Sequence, residues 1–319
     1  MKKTVNIPGV NCPKCSFASE APEQCPRCGV VFKSYEKYQA HQALRTQAGA
    51  MLAPVPAQDA WLGIEEYKID RLAFPAALLL TALAKLLVFP DAIFWYFFQI
   101  PTHEFGHSVA AWLGSRFALP IGAFIPMAAF TARGGSFSLF VFLAVLAGSG
   151  ALGYRALKQR CYFPVFMSAV TISLSVYCSF LLSEFNLNML FIYGGVAGEF
   201  ILSTFLIVSF YYDYPKGLRW DFFRFPFLLM GTFTLTSAVL LWGKIARGIE
   251  AMPSGSFLNG SSDASGDMDR LISQFGWSAK TLVTHFNYLG KLCGGLVLLH
   301  YFVFLFKSMN LRKMKIERD

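Results

Sequence analysis

Charge is scarce in this chain. Lys and Arg together number 28 and Asp and Glu 19 among 319 residues, so that 15% are charged against 55% hydrophobic. That balance argues against a soluble domain, and it predicts a polytopic membrane protein. Histidine is scarcer still, at 5 residues, and cysteine is limited to 7. No internal repeat is visible. No apolar core follows Met1-Lys2-Lys3, so no cleavable signal peptide is expected, and the first apolar span is expected to act as an uncleaved anchor.

Long apolar runs supply what the chain has in abundance. Spans are expected near 72–89, 92–113, 135–153, 161–182, 187–212, 222–242 and 281–306. A shorter apolar piece at 117–131 contains Pro120, Gly122 and Pro126 and reads as a crossing, a re-entrant segment or a hairpin. The expected fold class is therefore an all-α polytopic membrane protein of about six to eight transmembrane helices with a small N-terminal module. The organisation reads as a polar module over 1–35, a helix and linker over 36–66, a membrane domain over 67–310 and a basic tail over 311–319. A polar loop at 243–280 interrupts the membrane domain; loops of that length are usually functional or disordered.

The net charge of +9 does not argue for nucleic acid, because the basic residues cluster beside the spans, as at Arg155, Lys158 and Arg160 or Lys216, Arg219 and Arg224. Such clusters mark cytoplasmic loops. They put both termini, and so the N-terminal module, in the cytoplasm if 117–131 counts as a crossing, and the compact build suits a bacterial inner membrane. The expected partners are the bilayer, a membrane-protein substrate and a protein partner for the N-terminal module, with nucleic acid the disfavoured choice.

That module carries Cys12-Pro13-Lys14-Cys15 and Cys25-Pro26-Arg27-Cys28, two C-x-x-C turns with nine residues between them. Each turn offers two thiolates to one tetrahedral ion, and four sulfurs close the coordination shell, so the expected site is structural zinc on Cys12, Cys15, Cys25 and Cys28. A segment this short has almost no hydrophobic core and would need the metal to fold. The pattern resembles a zinc ribbon over roughly residues 10–33.

The sharpest chemical signal lies at His103-Glu104-Phe105-Gly106-His107, an H-E-x-x-H inside an apolar span. On a helix the two imidazoles share a face and can bind one metal ion, with Glu104 beside them as a general base toward a metal-activated water. Burying these groups in a bilayer costs insertion energy, which argues for function. Pro101 is expected to kink the span or open its backbone near the metal, and Gly106 to let a neighbouring backbone approach.

The stretch from Thr102 to Ala111 resembles the zinc motif of the site-2 protease family of intramembrane metalloproteases. The resemblance covers the H-E-x-x-H span well and the rest of the membrane domain loosely. It implies His103 and His107 as zinc ligands, Glu104 as general base, and hydrolysis of peptide bonds in or beside membrane-spanning segments. It also implies a third ligand, in that family an aspartate commonly followed by glycine. No Asp-Gly pair occurs here. Asp267, which opens an amphipathic turn after the polar loop, is the first candidate, and Glu199 and Asp269 are the alternatives. The cofactors expected are two zinc ions, one catalytic and one structural. The competing reading is an inactive or metal-sensing membrane scaffold that retains the site.

Overall fold

The computed structural model describes residues 10–11, 18–19, 26–28, 31, 70–121, 131–212, 214, 222–254 and 266–316. The chain divides into two units, Met1–Gln58 and Asp59–Asp319. In the first unit the strands β1 (Val10–Asn11) and β2 (Ala18–Ser19) pair antiparallel, Val10 opposite Ser19. Of the four ribbon cysteines, Cys28 is half-buried, while Cys12, Cys15 and Cys25 lie outside the described residues. The helix expected within 36–66 lies outside them as well.

The second unit is built on helices. Among the described residues, five of them are long and apolar enough to cross a membrane. They are α4 (Leu139–Lys158), α5 (Tyr162–Phe180), α6 (Glu184–Ser209), α7 (Arg224–Ala246) and the stretch Ala279–Lys307 of α9 (Ala279–Ile316). The expected count of six to eight includes two further runs that are helical but lie outside these five. The run at 72–89 forms α1 (Asp70–Leu86), whose 17 residues stand at the lower end of the length a bilayer core needs. The run at 92–113 is helical throughout, as α2 (Val88–Phe94), a π-helical turn (Trp95–Gln99) and α3 (Ile100–Leu113). The π turn lies just ahead of Pro101, which can donate no hydrogen bond to Phe97. Ile100 N–H reaches back to the Trp95 carbonyl instead, one residue further than in an α-helix.

The all-α expectation needs correction. The piece at 117–131 contributes to a β-hairpin rather than a transmembrane helix. Strand β3 (Arg116–Pro120) pairs antiparallel with β4 (Thr131–Phe137), with Ala118 opposite Arg133, Pro120 opposite Thr131 and an irregularity between Arg116 and Ala118. The chain turns into β3 at Ser115, which adopts a left-handed conformation with φ 55°. Burial alternates along β3, and Gly134 and Gly135 in β4 disfavour a helix there. Trp112 Nε1–H donates to the Ala118 carbonyl at 3.1 Å and ties the hairpin to α3. The polar interruption at 243–280 contains helical structure. Helix α7 runs on to Ala246, and α8 (Asp267–Phe275) forms before α9 begins. The backbone of α9 continues to Ile316, through most of the expected tail.

Helix α6 is the centre of the unit, with 56% of its apolar window buried against 11% for α4, whose side chains mostly face outward. Its side chains Phe200 and Ile207 join Leu235 and Trp242 of α7 and Phe286 of α9 in the core. Arg224, opening α7, donates two hydrogen bonds of 2.9 and 2.8 Å to the buried Asp70 carboxylate at the start of α1. That bidentate pair fixes the N-terminal ends of the two helices together.

Helices α3 and α6 meet almost backbone to backbone. A Cβ on Gly106 would stand 2.2 Å from the Gly194 carbonyl oxygen and 2.8 Å from Gly198 Cα. The glycines at 194, 195 and 198 on one helix and 106 on the other are what permit this approach.

Candidate metal centre

Spacing on α3 brings the two imidazoles together, with ring centroids 4.8 Å apart and planes nearly perpendicular. Helix α6 passes directly beneath them. A Cβ on Gly195 would lie 2.5 Å from His107 Nε2 and 2.6 Å from His103 Nε2. Helix α8 then closes the third side. It buries Met268 and Leu271, and this amphipathic packing sets its first residue, Asp267, over the rings.

Three potential donor atoms converge. Asp267 Oδ2 is 3.0 Å from His103 Nε2 and 3.1 Å from His107 Nε2, and the two Nε2 atoms are 3.2 Å apart. A tetrahedral ion with bonds of about 2.0–2.1 Å needs its ligand atoms about 3.3 Å from one another, so the triangle is close to the required size. His103, His107 and Asp267 are the one such ligand group found among the described residues.

The far side of each ring decides what the near side can do. His107 Nδ1 lies 2.7 Å from the Phe191 carbonyl oxygen, and His103 Nδ1 lies 2.8 Å from Glu199 Oε1. Both partners are acceptors, so each Nδ1 carries a proton and a neutral ring presents its Nε2 lone pair inward. Two lone pairs and a carboxylate oxygen then face one another at about 3 Å, a donor set suited to a divalent cation. Burial pushes the Asp267 carboxyl up, but when the site holds protons in place of a cation the imidazolium forms of His107 and His103 outweigh it and hold the group below the ordinary carboxylate range.

Glu199, weighed above as a ligand, stands instead behind His103. Its Oε1 meets His103 Nδ1 and its Oε2 accepts from Gln99 Nε2 at 3.0 Å. The buried Gln99 closes the π turn, so the break ahead of Pro101 carries this outer partner. Asp269, the other alternative, is not among the converging donors. His285 is engaged elsewhere, 2.8 Å from the Tyr193 hydroxyl, and His300 lies among the rings of Tyr211 and Tyr212.

Glu104 is buried on the neighbouring face of α3. Thr131, the first residue of β4, brings its hydroxyl within 2.7 Å of Glu104 Oε2 and 3.0 Å of the Glu104 carbonyl oxygen. The hydroxyl thereby orients the carboxylate. Sequence reasoning missed both Thr131 and Gln99. A lone glutamine in an apolar span is a usable signal for the second, whereas nothing local marks the first.

The role of Glu199 is testable by metal affinity. Glu199→Ala removes the acceptor from His103 Nδ1 and should weaken divalent-ion binding by about 10–100-fold. Glu199→Gln keeps an acceptor oxygen and should stay near the parent value. Equal affinities for all three proteins in a competition titration would contradict the assignment.

No family model, curated protein or solved structure matches this chain.

Proposed function

We propose that this protein is an intramembrane zinc metalloprotease of the site-2 protease type, which hydrolyses peptide bonds in or beside the membrane-spanning segments of other proteins. One observation carries the reading: His103, His107 and Asp267 aim three donor atoms at one point within a helical membrane domain, beside a glutamate held in place by a hydroxyl. In the same proposal Cys12, Cys15, Cys25 and Cys28 hold a second, structural zinc ion in a ribbon.

Zinc bound by His103, His107 and Asp267 would supply Lewis-acid polarisation of the attacking water and the scissile carbonyl. The chain's own groups do the rest. Glu104 accepts the proton of the attacking water and returns it to the leaving amine. Thr131 keeps the Glu104 carboxylate from rotating away. Glu199 and the Phe191 carbonyl hold the two imidazoles in the ligating tautomer. A substrate helix must unwind before its amide can be attacked, since a helical amide is shielded by its own hydrogen bonds. The edge of β4 away from β3 has no strand partner among the described residues, and an extended peptide could pair there.

The test is cleavage of a model transmembrane peptide by the purified full-length protein in lipid nanodiscs. Cleavage should stop when a chelator strips the metal and return when zinc is added back. Zinc-loaded protein that cuts no member of a broad peptide panel would count against the proposal.

A further inference from the structure

The site's margin carries a positive charge that the hydrolytic chemistry leaves unused. Arg133 lies two residues beyond Thr131 on β4. Alternate residues share a face of a strand, so Arg133 follows Thr131 along that face at about 6.6–7 Å. Its guanidinium stacks over the Phe191 ring with 5.0 Å to the centroid, and one Nη donates to the exposed Asn188 Oδ1. Phe191 is the residue whose carbonyl meets His107. Arg133 is therefore only one residue removed from the metal ligands. Its Nε is buried and has no hydrogen-bond partner among the described residues.

The surrounding charge is of the wrong sign to satisfy it. Burial, reinforced by the neighbouring charges of Arg116 and Arg270, holds the Arg133 guanidinium below its ordinary range. Arg116 already pairs with Glu184. Arg270 lies three residues after Asp267 on α8, on the same side of the helix. Two arginines from different elements thus stand at the margin of the metal centre. A planar guanidinium with spare donors is suited to a carboxylate.

We propose that Arg133, assisted by Arg270, binds a carboxylate of the peptide substrate and selects segments with an acidic residue about two positions from the cleaved bond. The position follows from β4 geometry. On a peptide paired with this strand, the side chain level with Arg133 is two residues from the one level with Thr131 and Glu104. The inference rests on the protease reading, because it takes the ligand to be an extended peptide at Glu104.

The experiment measures binding, so that it can fail separately from hydrolysis. Full-length Glu104→Gln protein, loaded with zinc in nanodiscs of neutral lipid, is titrated with fluorescent transmembrane peptides carrying Glu or Gln at successive positions. The expected result is a preference of about tenfold for Glu at one position, lost in Arg133→Met and kept in part by Arg133→Lys. Charge reversal in Arg133→Glu should transfer the preference to a peptide carrying Lys at the same position. Equal binding of the Glu and Gln series overturns the proposal. So does a preference that survives in both Arg133→Met and Arg270→Met. In a parallel series of nanodiscs containing anionic lipid, loss of anionic-lipid binding in Arg133→Met, with peptide preference unchanged, would mean that the arginine serves lipid phosphates and would also overturn it. If the preference holds while the parent protein cuts no peptide, the carboxylate site stands and the protease reading falls.

Discussion

Glu104→Gln is expected to abolish peptide cleavage while leaving the metal bound. Glu104 is adjacent in sequence to one proposed ligand and three residues from another, but it is not one of the converging donors. The amide has nearly the same shape, and its oxygen can still accept from Thr131 at the 2.7 Å seen for Glu104 Oε2. What it cannot do is take up a proton. General-base catalysis contributes about 10²–10⁴-fold, so cleavage should fall by at least that factor. Metal content and peptide affinity should be unchanged. A Glu104→Gln protein that cuts at the parent rate would transfer the base role to another group.

Gly195→Ala is expected to disable the centre from below. The added methyl would stand 2.5 Å from His107 Nε2 and 2.6 Å from His103 Nε2, against the atoms that aim at the metal. The helix cannot relieve this by sliding, because Gly194 and Gly198 are already in backbone contact with Gly106. Either the rings turn or α3 and α6 separate. Metal affinity should fall by more than about a hundredfold, a larger loss than removal of an outer partner brings. Overpacking of this kind should also cost about 1–3 kcal/mol of stability. Gly150→Ala is the control, since a Cβ there meets nothing within 4 Å. That variant should bind metal normally and be neutral or slightly more stable, as alanine replaces glycine inside α4. Full metal binding by Gly195→Ala would show that the α3–α6 contact is looser than described.

Local periodicity made part of this site legible. Four-residue spacing puts His103 and His107 on one helical face, and Gly106 between them signals a close helix contact. The position of Asp267 ahead of an amphipathic turn made it a candidate ligand. Glu199 was ambiguous because an intramembrane carboxylate near two histidines can serve either nitrogen of a ring. Only the three-dimensional placement distinguishes Nδ1 from Nε2. Thr131 was invisible because strand pairing joins residues across a long sequence gap, and no hydropathy pattern records which hydroxyl ends beside Glu104. Hydropathy over 92–113 is continuous and does not record the π turn that Pro101 favours, and of the three readings of the apolar 117–131 piece the start of a hairpin is the one observed.

The central claim is that His103, His107 and Asp267 together hold one divalent ion. Zinc per chain, measured by mass spectrometry of the metal on full-length protein purified without added chelator, tests it most directly. The parent protein should carry one zinc ion more than the His103→Ala, Asp267→Ala double variant, the difference being independent of whatever the cysteine module binds. Equal zinc content in the two folded proteins would contradict the claim and remove the basis for hydrolysis at this site.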